Sequence, residues 1–305
     1  MLAKFVRGAA LAIVAISAGA LPASAQTANR LGWLGELSGS CYQGVNAAGA
    51  VVDRQCFRDQ FGHFLRASIT RGSNYRGESV MGFSNDRRRL EVYAWTNGGE
   101  TAILTPTFVS DELVFAGENA NGVATRAVWR RGGEGAFQVA DQQRTDGAWA
   151  DATVTTYRRD GAAAAAFSAG SSIGAAGSGF GWLDQIAGRC YLQVEPRNDP
   201  NSRGCFAFQY RNVLRQTWYA GGAVGEAVLV RHPASGGIAF FHWDARGNFG
   251  VGQSSFSGRH LVSMTDTTDR RRRVLSRSSR GFTIETQQRS GQRWEYAEHH
   301  RYSEQ

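Results

Sequence analysis

From residue 40 onward the chain alternates apolar and polar positions in short runs separated by turn residues, the period-two pattern of β-strands with one buried face. After Cys56, the positions Phe57, Phe61, Leu65 and Ile69 fall on one side and Arg58, Gln60, Arg66 and Ser68 on the other. A later segment keeps the same phase, with Phe206, Phe208, Tyr210, Leu214 and Trp218 against Gln209, Arg211, Arg215 and Thr217. Further strands are predicted over residues 78–83, 90–95, 101–108, 113–117, 125–130, 136–144 and 149–158, with Asn97-Gly98-Gly99, Ser110-Asp111 and Asp146-Gly147 as turns. Ahead of them, Leu31, Leu34 and Leu37 stand at helical intervals and predict one short helix that caps an end of the sheet. Eight or nine short antiparallel strands in about 130 residues fit one closed up-and-down barrel.

The pattern occurs twice. Trp33-Leu34, Gly39 and Cys41-Tyr42 return as Trp182-Leu183, Gly188 and Cys190-Tyr191, and Cys56-Phe57 returns as Cys205-Phe206 at an offset of 149. Arg66 matches Arg215, Glu78 matches Glu226 and Trp95 matches Trp243; Gln142-Gln143-Arg144, Trp149 and Tyr157 match Gln287-Gln288-Arg289, Trp294 and Tyr302 at an offset of 145. Each unit has the size of a domain, not of a solenoid repeat. The expected fold class is therefore all-β: two tandem antiparallel up-and-down barrels over residues 26–159 and 180–305. Residues 160–179, almost wholly Ala, Gly and Ser, form the expected flexible linker, spanning roughly 25 Å on average. Gly170-Ser171-Ser172-Ile173-Gly174 fits the GxSxG pattern, but a nucleophile elbow needs a strand before it and a helix after it, so this is a chance match.

Residues 1–25 have the form of a secretory signal peptide: Lys4 and Arg7 precede an apolar stretch, and Ala23-Ser24-Ala25 supplies a cleavage pattern. A periplasmic or secreted protein is expected, with no transmembrane segment in the mature chain. Four cysteines in that compartment point to disulfides, and the duplication selects Cys41 with Cys56 and Cys190 with Cys205, each closing a loop of about 15 residues. Neither pair has CxxC spacing and no histidine is matched between the halves, so no metal site is predicted. The formal net charge of +8 is uneven: residues 26–160 hold 15 arginines against 15 acids, and residues 161–305 hold 17 against 11. Lys4 is the sole lysine, so much of the excess reflects composition; no nucleic-acid partner is expected.

The Trp on an opening turn, the Gly before the first strand, the many short strands and the final Tyr-Arg together resemble the calycin-like barrels, which include the lipocalins. The resemblance rests on Gly32-Trp33-Leu34 with residues 149–158, and on Gly181-Trp182-Leu183 with residues 294–302. It implies a barrel whose interior holds an apolar or amphipathic small molecule, no catalytic residue, and a contact between Trp33 and Arg158; in the second half Ser303 stands in the place of Arg158.

Candidate ligand-binding residues follow from the matched polar and aromatic positions. Arg66 with Glu78, and Arg215 with Glu226, lie on consecutive predicted strands; facing inward they orient a ligand head group, facing outward they are surface ion pairs. Gln143 and Gln288 continue the phase of Phe137 and Phe282 and are expected inside. Tyr93, Trp95 and Trp243 are core or the wall of a pocket. His299 and His300 point to opposite faces, which leaves His300 as the one candidate for a single inward haem ligand; no cofactor is predicted. The runs 87–89 and 270–273 are expected to be solvated loops, with anion binding as the alternative. No catalytic constellation recurs, and Glu78 and Glu226 are the only matched carboxylates. The leading expectation is non-catalytic binding of a small, partly apolar ligand in one or both barrels; the alternative is a pair of filled barrels whose basic second half docks on an anionic envelope component.

Overall fold

The computed structural model describes residues 31–84, 87–118, 122–133, 135–163, 179–196, 199–265 and 271–304. The expected signal peptide and the GxSxG pentapeptide lie outside these residues. The first unit opens on a 3-10 turn, Gly32–Leu37, followed by β1 Ser40–Asn46, β2 Val51–Gln60, β3 Phe64–Arg71, β4 Tyr75–Ser84 and β5 Arg89–Thr96. It continues with β6 Thr101–Leu104, β7 Thr107–Val109, β8 Glu112–Glu118, β9 Ala124–Arg131, β10 Phe137–Thr145 and β11 Ala148–Ala163. The second unit repeats the 3-10 turn at Gly181–Gln185, followed by β12 Arg189–Glu195, β13 Arg203–Tyr210, β14 Val213–Ala220, β15 Ala223–Arg231 and β16 Ile238–Asp244. It ends with β17 Phe249–Ser257, β18 His260–Thr265, β19 Arg271–Ser278, β20 Gly281–Ser290 and β21 Arg293–Glu304.

All neighbours pair antiparallel and in chain order. In the second unit β12 to β21 close into a barrel, whereas the first unit is an 11-stranded sheet that begins at β6 and ends at β7. Those two strands are consecutive in the chain, and the expected strand over 101–108 breaks between them at Pro106, which is buried. The matching position in the second unit is Ser254, inside the unbroken β17, where its hydroxyl shares a hydrogen bond with Ser263. Proline supplies no N–H to a ladder, so the first sheet stops short of closure where the second closes.

The sequence alternation runs uninterrupted from Phe57 to Ile69, but the chain turns within it. Residues 61–63 connect β2 to β3, with Phe61 at φ +60°. Residues 211–212 do the same between β13 and β14. An even number of strand positions separates the two arms, so the turn is invisible to a period-two pattern. The expected linker also begins later than its composition indicates, because β11 runs through Ala163 beside Ser40, and Asp160 accepts a 2.6 Å bond from Arg54.

Both disulfides pair as the repeat predicts, Cys41 with Cys56 and Cys190 with Cys205. Each joins residues directly opposite on a hairpin, β1 with β2 and β12 with β13. Replacing either pair with serine is expected to lower stability by about 3 kcal/mol, from the loss of a cross-link over 15 residues. Urea unfolding of the two double variants measures it; midpoints equal to the parent's would contradict it. Disulfides suit an oxidising compartment. No helix among the described residues is long and apolar enough to cross a membrane.

Each unit has its own interior core. Leu31, Leu34, Tyr42, Phe57, Leu65 and Phe137 pack inside the first, and Phe180, Leu183, Tyr191, Phe206, Leu214 and Phe282 at equivalent positions inside the second. The Trp33 indole N–H donates to the Asp111 carbonyl at 2.9 Å, and Arg158 is exposed on the outer surface.

Candidate functional site

Two sites emerge, and the residues singled out from sequence belong mostly to the one that is not a cavity. In β3 to β5, Leu65, Met81 and Val92 face inward, which turns Phe64, Arg66, Glu78, Val80, Tyr93 and Trp95 away from the barrel. In β14 to β17 the corresponding outward residues are Val213, Arg215, Glu226, Val228, Phe241 and Trp243. These two faces pack on each other and form a third core between the units. Trp95 stacks on Trp243 with centroids 6.0 Å apart, and Tyr93 on Phe241 at 5.3 Å. Equivalent residues meet one another, the mark of a self-complementary interface around a two-fold axis.

The charges follow the same pseudo-symmetry. Arg66, wholly buried, holds Glu78 of its own unit through Nε at 2.9 Å and Glu226 of the other unit through Nη1 at 2.6 Å. Arg215 holds Glu226 through Nη2 at 2.6 Å. Gln60 donates to Glu226 at 2.6 Å, and Gln209, its counterpart, donates to Glu78. Burial disfavours the Arg66 charge, but Glu78 and Glu226 outweigh it and hold its pKa above the ordinary arginine value. Burial would likewise raise the Glu226 pKa; Arg66 and Arg215 overcome it and keep the carboxyl below its ordinary 4.5. The guanidinium of Arg66 also lies 5.9 Å and 6.0 Å from the Trp95 and Trp243 rings, a desolvated cation between two aromatic faces. At the rim, the turn at Gly99, with φ +92°, approaches the Arg231 carbonyl so closely that a Cβ would overlap it. The Arg66–Glu78 pair is thus buried between the units, with Glu78 also bordering a cleft at the mouth of the first barrel.

Gln143 and Gln288 are exposed near the tips of their hairpins. The inward phase of β20 continues from Phe282 through Ile284 to Thr286, which lines the interior cavity, and Gln288 lies one step beyond the cavity wall. Their neighbours explain the repeated triplet instead. Gln142 accepts from Arg126 at 2.6 Å while Arg126 covers the Trp149 ring at 4.3 Å; Gln287 accepts from Arg272 at 2.7 Å while Arg272 covers Trp294 at 4.4 Å.

The second site is the interior of the closed barrel, a cavity of about 200 Å³. Trp218, Leu229, Phe240, Leu261, Leu275 and Ile284 form its apolar walls; Gln193, Gln216, Ser263, Arg273, Glu298 and His300 supply its polar groups. Of these, the sequence singles out for binding only His300, as a haem ligand, and Arg273, within a basic run with anion binding as its alternative role. Arg273 belongs to the run expected in a solvated loop; in β19 it stands two residues from inward Leu275, and that spacing is the signal that could have found it. Arg273 lines the cavity yet keeps an exposed surface; partial desolvation lowers its pKa against the opposing pull of Glu298. Glu298 points toward the rim, 3.7 Å from His300 Nε2, and the other ring nitrogen of His300 is buried without a partner. Burial pushes the nearby His242 down to about 3, so that imidazole is neutral at physiological pH.

The first unit lacks these groups. Strand register places Ala67, Ile69, Ala94, Phe115 and Ala127 where the second unit has Gln216, Trp218, His242, Ser263 and Arg273. The buried interior carboxylate of Asp53 accepts from the Tyr157 hydroxyl at 3.0 Å. At its mouth is a cleft of about 290 Å³ against Gln55, Ala67, Ile69, Ala94 and Trp129, bordered by Glu78 and Trp95, two of the residues named from sequence as ligand contacts. Among the described residues, no cluster of three or more His, Cys, Asp or Glu side chains is placed to hold a metal ion. No family model, curated protein or solved structure matches the chain, so its assignment rests on its own geometry.

Proposed function

We propose that the protein is an exported, calycin-like carrier that binds a small, partly apolar ligand inside its second barrel without transforming it. The observation that carries this reading is the cavity of about 200 Å³, whose aromatic and aliphatic walls end in a few convergent polar groups. At protein packing densities such a space holds on the order of ten non-hydrogen atoms. In the first barrel Phe115 and Trp129 occupy part of the equivalent volume and leave the cleft of about 290 Å³ at its mouth.

Ser263→Phe copies the side chain that the first barrel carries at the same register position, and fills the cavity. Native mass spectrometry of the mature protein from its own host, followed by denaturation, is expected to release a small molecule at one per chain from the parent and none from Ser263→Phe. A parent without any released molecule, or loading indifferent to the substitution, would contradict the proposal.

A further inference from the structure

We infer that the outer faces of β9–β11 and β19–β21 are two copies of one docking site for an acidic polysaccharide, and that the protein bridges segments of such a polymer. Most matched positions owe their identity to burial, inside a barrel or in the core between the units. One matched set lies outside all three cores. Arg126, Gln142, Arg144 and Trp149 return as Arg272, Gln287, Arg289 and Trp294 on one outer face, where the positions beside them have diverged, Ala116 to Met264 and Asp151 to Tyr296.

Their geometry repeats with their identity. Nε of Arg126 donates to Gln142 at 2.6 Å and Nε of Arg272 to Gln287 at 2.7 Å, while the two guanidinium groups cover the Trp149 and Trp294 rings at 4.3 and 4.4 Å. Arg144 and Arg289 stand opposite the tryptophans across the hairpin and donate through Nε to the turn carbonyls of Gly147 at 3.3 Å and Gly291 at 3.1 Å. Among the described residues none of the four arginines has an ion pair, and none donates through its Nη groups. A guanidinium fixed at Nε with its Nη donors free matches a carboxylate, and fixing it beforehand lowers the entropy cost of binding.

Arg126 and Arg272 already occupy the stacking position that a nucleic-acid base would take over the indoles, and the exposed part of Trp149 offers an apolar edge to the C–H groups of a sugar ring. In strand order β10 and β20 lie about halfway round their barrels from the strands that meet between the units, so the two sites face away from each other. A flat bilayer reaches one of them at a time, whereas a long polymer reaches both. The first unit balances 15 arginines with 15 acids and the second has 17 against 11, so the second site holds a polyanion more tightly.

Interferometry of the full chain on immobilised polygalacturonate tests this, with dextran as the neutral polymer and phosphatidylglycerol vesicles as the anionic bilayer. Polygalacturonate is expected to bind about tenfold or more tightly than dextran and to be released by about 1 M salt. Arg272→Gln with Arg289→Gln should weaken binding about tenfold, and Arg126→Gln with Arg144→Gln less; the charge-matched control, Arg246→Gln with Arg259→Gln, should change it less than about twofold. Arg289→Gln alone, at an exposed position, serves if a double variant fails to fold. Light scattering should show the parent cross-linking the polymer and either site variant binding without cross-linking. Failure to bind polygalacturonate, equal binding of dextran, or a control as weak as the site variants would overturn the proposal, and a parent that binds without cross-linking would overturn the bridging. Vesicles preferred over the polymer, with that preference lost in the same variants, would give these faces to a membrane instead. Both sites lie outside the barrels, so the result is separate from that of Ser263→Phe.

Discussion

Arg66→Ala is expected to destabilise the protein by about 3–5 kcal/mol, because it leaves two buried carboxylates without their shared cation. Glu78 and Glu226 come from different units and both bond Arg66, so the loss falls on the packing of one barrel against the other. By contrast Arg131→Ala, which removes an exposed pair with Glu36, should cost less than about 1 kcal/mol. Urea unfolding of the two variants gives the comparison, and hydrogen exchange should show the added opening concentrated in β3 to β5 and β14 to β17. Equal losses in the two variants would mean that the cluster is better hydrated than its burial implies. The same cluster sets an acid limit. The folded Glu226 has a pKa below its ordinary 4.5, so the stability it contributes is present above that value and is lost as pH falls through the folded pKa. His242, neutral down to about 3, acts in the same direction, since the unfolded chain takes up its proton near 6.5 and the folded chain does not. Stability should therefore decline steadily from about pH 6.5 into acid.

Trp243→Ala is expected to cost about 3–5 kcal/mol by emptying the contact between the units, and to leave ligand affinity within twofold of the parent. Trp243 and Trp95 stack across the pseudo-two-fold axis with their rings 24° apart, both buried, and both on the outer faces of their barrels. Trp95→Ala should give a similar loss. The double variant should cost less than the sum, because each single change already removes the stacked contact. Trp218→Ala is the converse experiment: its ring lies in the cavity, so ligand affinity should drop while the inter-unit packing persists. Ligand binding that followed Trp243 and ignored Trp218 would place the site between the units instead.

Phe57, Leu65, Phe206 and Leu214 were identified as one face of their strands, and they are interior. Cys41, Cys56, Cys190 and Cys205 paired as the repeat required. The matched polar residues were found correctly as a set, yet their meaning differed: Arg66, Glu78, Arg215 and Glu226 repeat because two copies of one face meet each other. Trp218 falls on the inward face of the alternation and Arg273 within a basic run, but their register positions in the first unit hold Ile69 and Ala127, so the duplication assigns them no ligand contact.

By itself the sequence determined the strands, the two units, the disulfides and the division of each strand into two faces. All of these follow from local periodicity or from direct internal comparison. Only the tertiary structure decided what covers the outer face, where Pro106 leaves the first sheet unclosed, and which interior keeps a cavity. Period-two alternation reports that two faces differ but not what lies against either. Burial of Arg66 comes from Glu226, 160 residues away, and the cavity of the second barrel comes from eight strands whose side chains together fall short of filling it.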